Sequence, residues 1–297
     1  MRFRPAVLLF VGVACLFSLV ALPAEPKAGQ SAIASAHRAA TSAGFEILAQ
    51  GGNAFDAAIA VSAALAVVEP MGSGLGGGGF WLLHRASDGY QVMIDGREKA
   101  PIAASRTMYL DQQGKVIEGL SLNGALAAAI PGLPAALVHL AEKYGQLPLR
   151  QSLQPAIRAA EAGFAVYPRY QQLLKFRKPH LNKAAREIFL DKDNEVPAVG
   201  TVIKQTDLAA TLRRLAIAQR DGFYKGETAK LMLHAVKQAG GIWTQSDLDD
   251  YRVVERSPVT GSYRGCLLYT SPSPRDCGPD LVCLLLNEKS GGGGGGG

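Results

Sequence analysis

The chain has 297 residues, 48% of them hydrophobic and 19% charged, with a formal net charge of +6. That balance excludes a largely disordered chain, and the length admits one large domain or two ordinary ones. Without a block of five or six like charges or a basic stripe interleaved with aromatics, no nucleic-acid partner is expected.

At the N-terminus, Arg2 and Arg4 precede an apolar run from Ala6 to Leu22, broken by Pro23-Ala24-Glu25. A basic start, an apolar stretch and a small residue before polar sequence predict a signal peptide over residues 1–24, with export to the periplasm or beyond. The alternative is an uncleaved anchor, because about 17 apolar residues is the short limit for spanning a bilayer. Residues 31–50 read as a helix ending at Gly51-Gly52. Asn53 then caps a second helix, Ala54 to Val68, apolar nearly all round and therefore buried, and Glu69-Pro70 stops it. Gly72 to Gly79 is a glycine loop. Phe80–His84 and Gln91–Ile94 read as strands of a hairpin, turning at Ser87-Asp88-Gly89.

Helices dominate from there. Leu133, Ala136, Leu137, Leu140, Ala141 and Tyr144 share one helical face, with Pro134 near the start and Gly145 at the end. Residues 150–162 form a helix stopped by Gly163. Thr206 is expected to cap a helix carrying Leu208, Leu212 and Leu215. Residues 227–239 form another, ending at Gly240-Gly241, and Thr244-Gln-Ser-Asp247 is a capping pattern that opens a short one. Val259–Tyr263 begins a strand. The pattern predicts an α+β protein.

The cysteines are Cys15, Cys266, Cys277 and Cys283, so a disulfide scaffold or a cysteine zinc site is excluded from the main body. After Gly265 the character changes to Ser271-Pro-Ser-Pro274, Leu284-Leu-Leu286 and a terminal run of glycines. Residues 266–297 are expected to be a low-complexity tail unrelated to the body.

Candidate chemistry is sparse. Gly72-Ser-Gly74-Leu-Gly76-Gly77 matches G-x-G-x-x-G in form, but a dinucleotide site needs a strand before it and a helix after, and here the order is reversed. A tight helix-to-strand turn close to a site fits better. Arg97, in Asp95-Gly-Arg-Glu-Lys99 at a strand end, either clamps a carboxylate through a bidentate pair or belongs to a surface charge cluster with Asp95 and Glu98. The five histidines lack metal-ligand spacing, and His84 and His234 read as packing residues. No G-x-S-x-G supports a nucleophile elbow. Asp249-Asp250 reads as a solvated face.

Several segments occur in a telling order: Gly51-Gly-Asn-Ala-Phe-Asp-Ala-Ala58, Val68-Glu-Pro-Met-Gly-Ser-Gly-Leu-Gly-Gly-Gly-Gly-Phe80 and Arg97-Glu-Lys-Ala-Pro101. Ala129-Ile-Pro-Gly132, Pro155-Ala-Ile157 with Gly163-Phe164, Phe223-Tyr-Lys-Gly226, Gly240-Gly241 with Asp247-Leu248 and Tyr251, and Tyr263-Arg-Gly265 continue the series. Over residues 30–265 the chain resembles the large subunit of the γ-glutamyltransferase family. The resemblance implies an N-terminal-nucleophile hydrolase fold, a four-layer αββα sandwich that is incomplete in this chain. It implies a precursor that cuts itself into two subunits, and a new N-terminal Thr of the small subunit that attacks the γ-glutamyl amide, with its own amine as base and backbone N–H groups holding the oxyanion. Glutathione and other γ-glutamyl compounds would be donors; water, amino acids or peptides would be acceptors; no cofactor or metal is implied.

Arg97 matches the family arginine that grips the glutamyl α-carboxylate. No threonine here has His at the next position or the one after. The resemblance therefore assigns no catalytic residue to this chain, which is expected to be inactive without the missing small subunit. A related cephalosporin or glutaryl acylase, or an exported fragment that only binds glutamyl groups, are the competing expectations.

Overall fold

The computed structural model describes residues 31–264 and 266–270. The export segment read at residues 1–24 and the tail beyond Thr270 lie outside the described residues.

Helix α1 (Arg38–Ala49) starts later than the sequence suggests. His37 takes the N-cap with extended backbone, and its Nδ1 accepts from the Ala39 N–H at 3.1 Å. The Ser35 hydroxyl donates to the His37 carbonyl, which holds residues 35–37 in a turn instead of a helical continuation. Helix α2 (Ala54–Val68) has the bounds read from sequence. Asn53 and Asp56 form a reciprocal capping box at its start. The fully buried Asp56 carboxylate also accepts from the Gln146 and Leu147 N–H groups, at 2.9 and 3.3 Å.

The glycine loop leads into β1 (Gly79–Arg85), which pairs antiparallel with β2 (Tyr90–Gly96) as the expected hairpin. Then follow α3 (Leu133–Lys143), α4 (Leu149–Ser152) and α5 (Gln154–Ala162). The stretch read as one helix over 150–162 is thus two, meeting at Leu153, where Pro155 enters the first turn of α5. A short ribbon of β3 (Phe164–Ala165) with β4 (Val202–Ile203) encloses α6 (Pro168–Arg177) and α7 (Lys183–Phe189).

Helix α8 (Thr206–Ala218) corrects one expectation. Thr206 is its first helical residue and caps nothing. Gln205 holds the cap position, and its side chain instead donates to the Val67 carbonyl at 2.7 Å. Helices α9 (Asp221–Tyr224), α10 (Gly226–Gln238) and α11 (Gln245–Asp250) complete the helical part, and Thr244 with Asp247 makes the expected capping box on α11.

Strand β5 (Val254–Arg256) adds to the far side of β2, so the main sheet has the order β1-β2-β5. Three residues give no alternation to read, which is why this strand escapes the sequence pattern. Strand β6 (Val259–Tyr263) pairs with β7 (Cys266–Thr270), so backbone pairing continues past Gly265.

Trp81 sits opposite Ile94 and Leu83 opposite Val92, and this face of the sheet joins the helical core. Ile47, Ile59, Leu137, Leu140, Leu153, Leu174 and Leu212 are fully buried there. Each such side chain contributes roughly 1.5–3 kcal/mol, so packing alone accounts for a body without disulfides. His84 and His234 are not packing residues; both are exposed, and His84 only meets Gln91 at 3.2 Å.

Candidate active site

Arg97 is the first residue after β2, and its position is set by what surrounds the strand end. The glycine loop presses against it. A Cβ on Gly78 would collide with the Gly96 carbonyl oxygen and lie 2.9 Å from Arg97 Cα. By contrast, a Cβ on Gly72, Gly74 or Gly76 would meet nothing within 4 Å. The close approach expected of the loop is therefore real at its downstream end. Gly132 closes the other side, where a Cβ would collide with the Gly96 carbonyl and the Tyr251 hydroxyl. The Gly77 carbonyl accepts from the N–H groups of Gly132 and Leu133, at 2.8 and 2.9 Å.

The neighbouring carboxylates have different fates. Asp95 accepts from the Arg97 N–H at 3.1 Å and, through its other oxygen, from Arg256 Nε at 2.8 Å. It is committed to structure. Among the described residues, the Arg97 side chain has Glu98 as its one ion-pair partner, Nε to Oε2 at 3.3 Å, and it stays half exposed. Its guanidinium carbon lies 5.8 Å from the centre of the Phe80 ring. Of the two readings of Arg97, a carboxylate clamp or a member of a surface cluster, the geometry leaves a guanidinium with most of its donors open.

Three ties bind residues 97–102 to the end of α11. The Tyr251 hydroxyl donates to the Arg97 carbonyl at 2.7 Å. Lys99 Nζ donates to the Arg252 carbonyl at 2.8 Å. The Ile102 N–H donates to Asp247 Oδ1 at 2.6 Å. Burial works against the Asp247 charge, but bonds from the Ile102 N–H and from the Thr244 hydroxyl and N–H outweigh it and hold the carboxyl below its ordinary range. Burial pushes the Tyr251 hydroxyl up, with Asp95 and Glu98 adding to it, so the phenol remains a donor at any working pH. Behind it, Tyr224 stacks on Tyr251 with centroids 5.7 Å apart. Arg220 Nη2 donates to the carbonyls of Leu248, Asp249 and Tyr251.

The sequence reading gave Asp247 only the task of capping α11, and named Tyr224 and Tyr251 within motifs without a task. The Asp247-x-x-x-Tyr251 spacing was the available signal, since residues four apart on one helical turn face the same neighbour. Asp249 and Asp250, read as a solvated face, accept within α11 from Gln245 and Ser246, at 3.0 Å each; Asp249 is half-buried and Asp250 exposed. The site is an open strand end. The concavity lined by His37, Arg38, Glu46 and Arg158, between α1 and α5, does not include Arg97. Among the described residues, no group of three or more His, Cys, Asp or Glu side chains is placed to hold a metal ion.

The described residues combine a helical layer with a three-stranded antiparallel sheet, and the solved structures they resemble are N-terminal-nucleophile hydrolases, the α+β fold class that the sequence resemblance implies. The helicobacterial gamma-glutamyltranspeptidase (Helicobacter pylori) superposes with a TM-score of 0.81 at 40% identity, covering 85% of this chain and 72% of that one. Residues 40–288 match the Gamma-glutamyltranspeptidase family, and the chain belongs to it. The glutathione hydrolase proenzyme of Pseudomonas sp. (strain A14) is 39% identical over 287 residues, 94% of this chain and 49% of that protein. The proenzyme of Escherichia coli (strain K12) is 37% identical over 95% of this chain and 51% of its own length. The chain spans about half the length of these curated relatives.

Proposed function

We propose that this chain is the glutamyl-binding part of an exported γ-glutamyltransferase, acting on glutathione and related γ-glutamyl amides. The observation that carries the reading is Arg97: a half-exposed guanidinium, on a strand end braced from three sides, whose ionic partner among the described residues, Glu98, lies at 3.3 Å. A donor's α-carboxylate takes that partner's place and receives two parallel N–H bonds. The γ-amide is then presented to a Thr nucleophile from the half of the relatives' length that this chain does not span. The Thr hydroxyl attacks the amide carbon and passes its proton to its own α-amine. The C–N bond breaks, the amine leaves with that proton, and the γ-glutamyl ester remains. Water or an amino acid then releases the glutamyl group.

The test is Arg97→Ala in the full-length proenzyme. Loss of two charge-assisted bonds should raise KM for a γ-glutamyl donor roughly a hundredfold. An unchanged KM refutes the reading. The 297-residue chain alone should show no γ-glutamyl hydrolysis, and turnover by it would overturn the division of labour. A panel of γ-glutamyl and glutaryl donors separates this reading from an acylase, because a glutaryl group keeps the carboxylate that Arg97 would grip but lacks the α-amino group of a glutamyl donor.

A further inference from the structure

We infer that Tyr251 is a positioning residue for Arg97, fixing through its hydroxyl the backbone from which the guanidinium reaches the substrate carboxylate. The inference rests on the reading of Arg97 given above. Arg97 follows the last residue of β2, so the sheet ladder does not fix its own carbonyl. The Tyr251 hydroxyl, at 2.7 Å, supplies that constraint. Three groups hold the phenol in place. Tyr224 stacks on one side, nearly parallel at 8°. Lys99 Nζ lies 5.0 Å from the ring centre. Arg220 grips the Tyr251 carbonyl at 3.0 Å. Gly132 has no side chain, and any Cβ there would occupy the place of the hydroxyl. The ring is 2% exposed while the arginine it serves is half exposed. A buried group thus steers an exposed one. The lever is long: turning the Arg97 peptide by about 10° displaces a group some 6 Å away by about 1 Å, enough to spoil a bidentate fit.

The experiment uses the full-length proenzyme and Tyr251→Phe, which keeps the ring and removes the hydroxyl. Loss of one buried donor should raise KM for a γ-glutamyl donor roughly three- to tenfold, with kcat within about twofold and the extent of self-cleavage unchanged. The inhibition constant of free glutamate should rise by the same factor, and it can be read on whatever fraction matures. A donor lacking the α-carboxylate should not respond. In an Arg97→Ala background the second substitution should add nothing, whereas a general packing defect would add its effect in both backgrounds. An unchanged KM and glutamate inhibition in Tyr251→Phe, or an equal further loss on top of Arg97→Ala, overturns the positioning role. A wild-type KM in Arg97→Ala itself overturns the clamp, and this inference with it.

Discussion

The N-terminus of α3 has an unusual cap, and Tyr224→Phe tests it. Gly132 stands at the N-cap and offers no side chain. The first-turn donors are nonetheless all placed. The Leu133 N–H goes to the Gly77 carbonyl, Pro134 has none, and the Ala136 N–H goes to Gly132. The Ala135 N–H goes to the Tyr224 hydroxyl at 3.3 Å, and that hydroxyl donates in turn to the Pro131 carbonyl at 2.7 Å. Tyr224 is fully buried, and burial pushes its hydroxyl up, so it is always protonated. Phe at this position keeps the ring stacked on Tyr251 but strips one acceptor and one donor. Losing a cap costs about 1 kcal/mol, and a buried carbonyl left without its partner costs about 1–2 kcal/mol more. The expected loss is about 2–3 kcal/mol in urea unfolding of the chain, as a lower midpoint at unchanged slope. A loss below about 0.5 kcal/mol would mean that water replaces the hydroxyl and that this capping account is wrong.

Two further substitutions probe the supports around the site. Glu255 on β5 accepts from His139 Nε2 and the Tyr144 hydroxyl on one oxygen, at 2.8 and 2.6 Å, and from Lys143 on the other, at 2.7 Å. Burial resists its charge, but the bonds from Lys143, Tyr144 and His139 win and bring its pKa from 4.5 to about 2. A depressed carboxyl stabilises the fold fully above its ordinary value and loses that contribution as pH falls toward 2. Glu255→Gln should therefore flatten the decline of melting temperature between about pH 4.5 and 2, and an unaltered slope would exclude Glu255 as its source. Asp56→Ala should cost roughly 3 kcal/mol or more, because it leaves the N–H groups of Asn53, Gln146 and Leu147 without an acceptor. Near-normal stability by chemical denaturation would argue against that role.

The parts of the fold visible in the sequence are those with local causes. Helix α2 announces itself by Asn53, an unbroken apolar run and Pro70; the hairpin announces itself by two apolar segments around Ser87-Asp88-Gly89. Arg97 stood out because it closes a strand. What escaped depends on contacts distant in sequence. Strand β5 is too short to show a period and exists because β2 offers it an edge. Thr206 looked like a cap because its type suits one, yet Gln205 was drawn to the Val67 carbonyl and took the position. The tasks of Tyr224 and Arg220 are invisible locally, and that of Tyr251 shows only in its spacing from Asp247, since each acts on a carbonyl supplied by another part of the chain.

The ties that brace the strand end span 153, 145 and 154 residues of sequence. At synthesis rates of about 5–20 residues per second, the ribosome has passed Arg97 by roughly 8–30 seconds before Tyr251 exists to hold it. Contacts of such long separation also carry the largest closure cost, so they form late in folding. The hairpin is complete early, but its arginine acquires a defined direction only when α11 docks. An order of events follows: the hairpin forms first and the direction of Arg97 is set last, so, on the function proposed above, a folding intermediate with only the hairpin intact would not yet hold a carboxylate there.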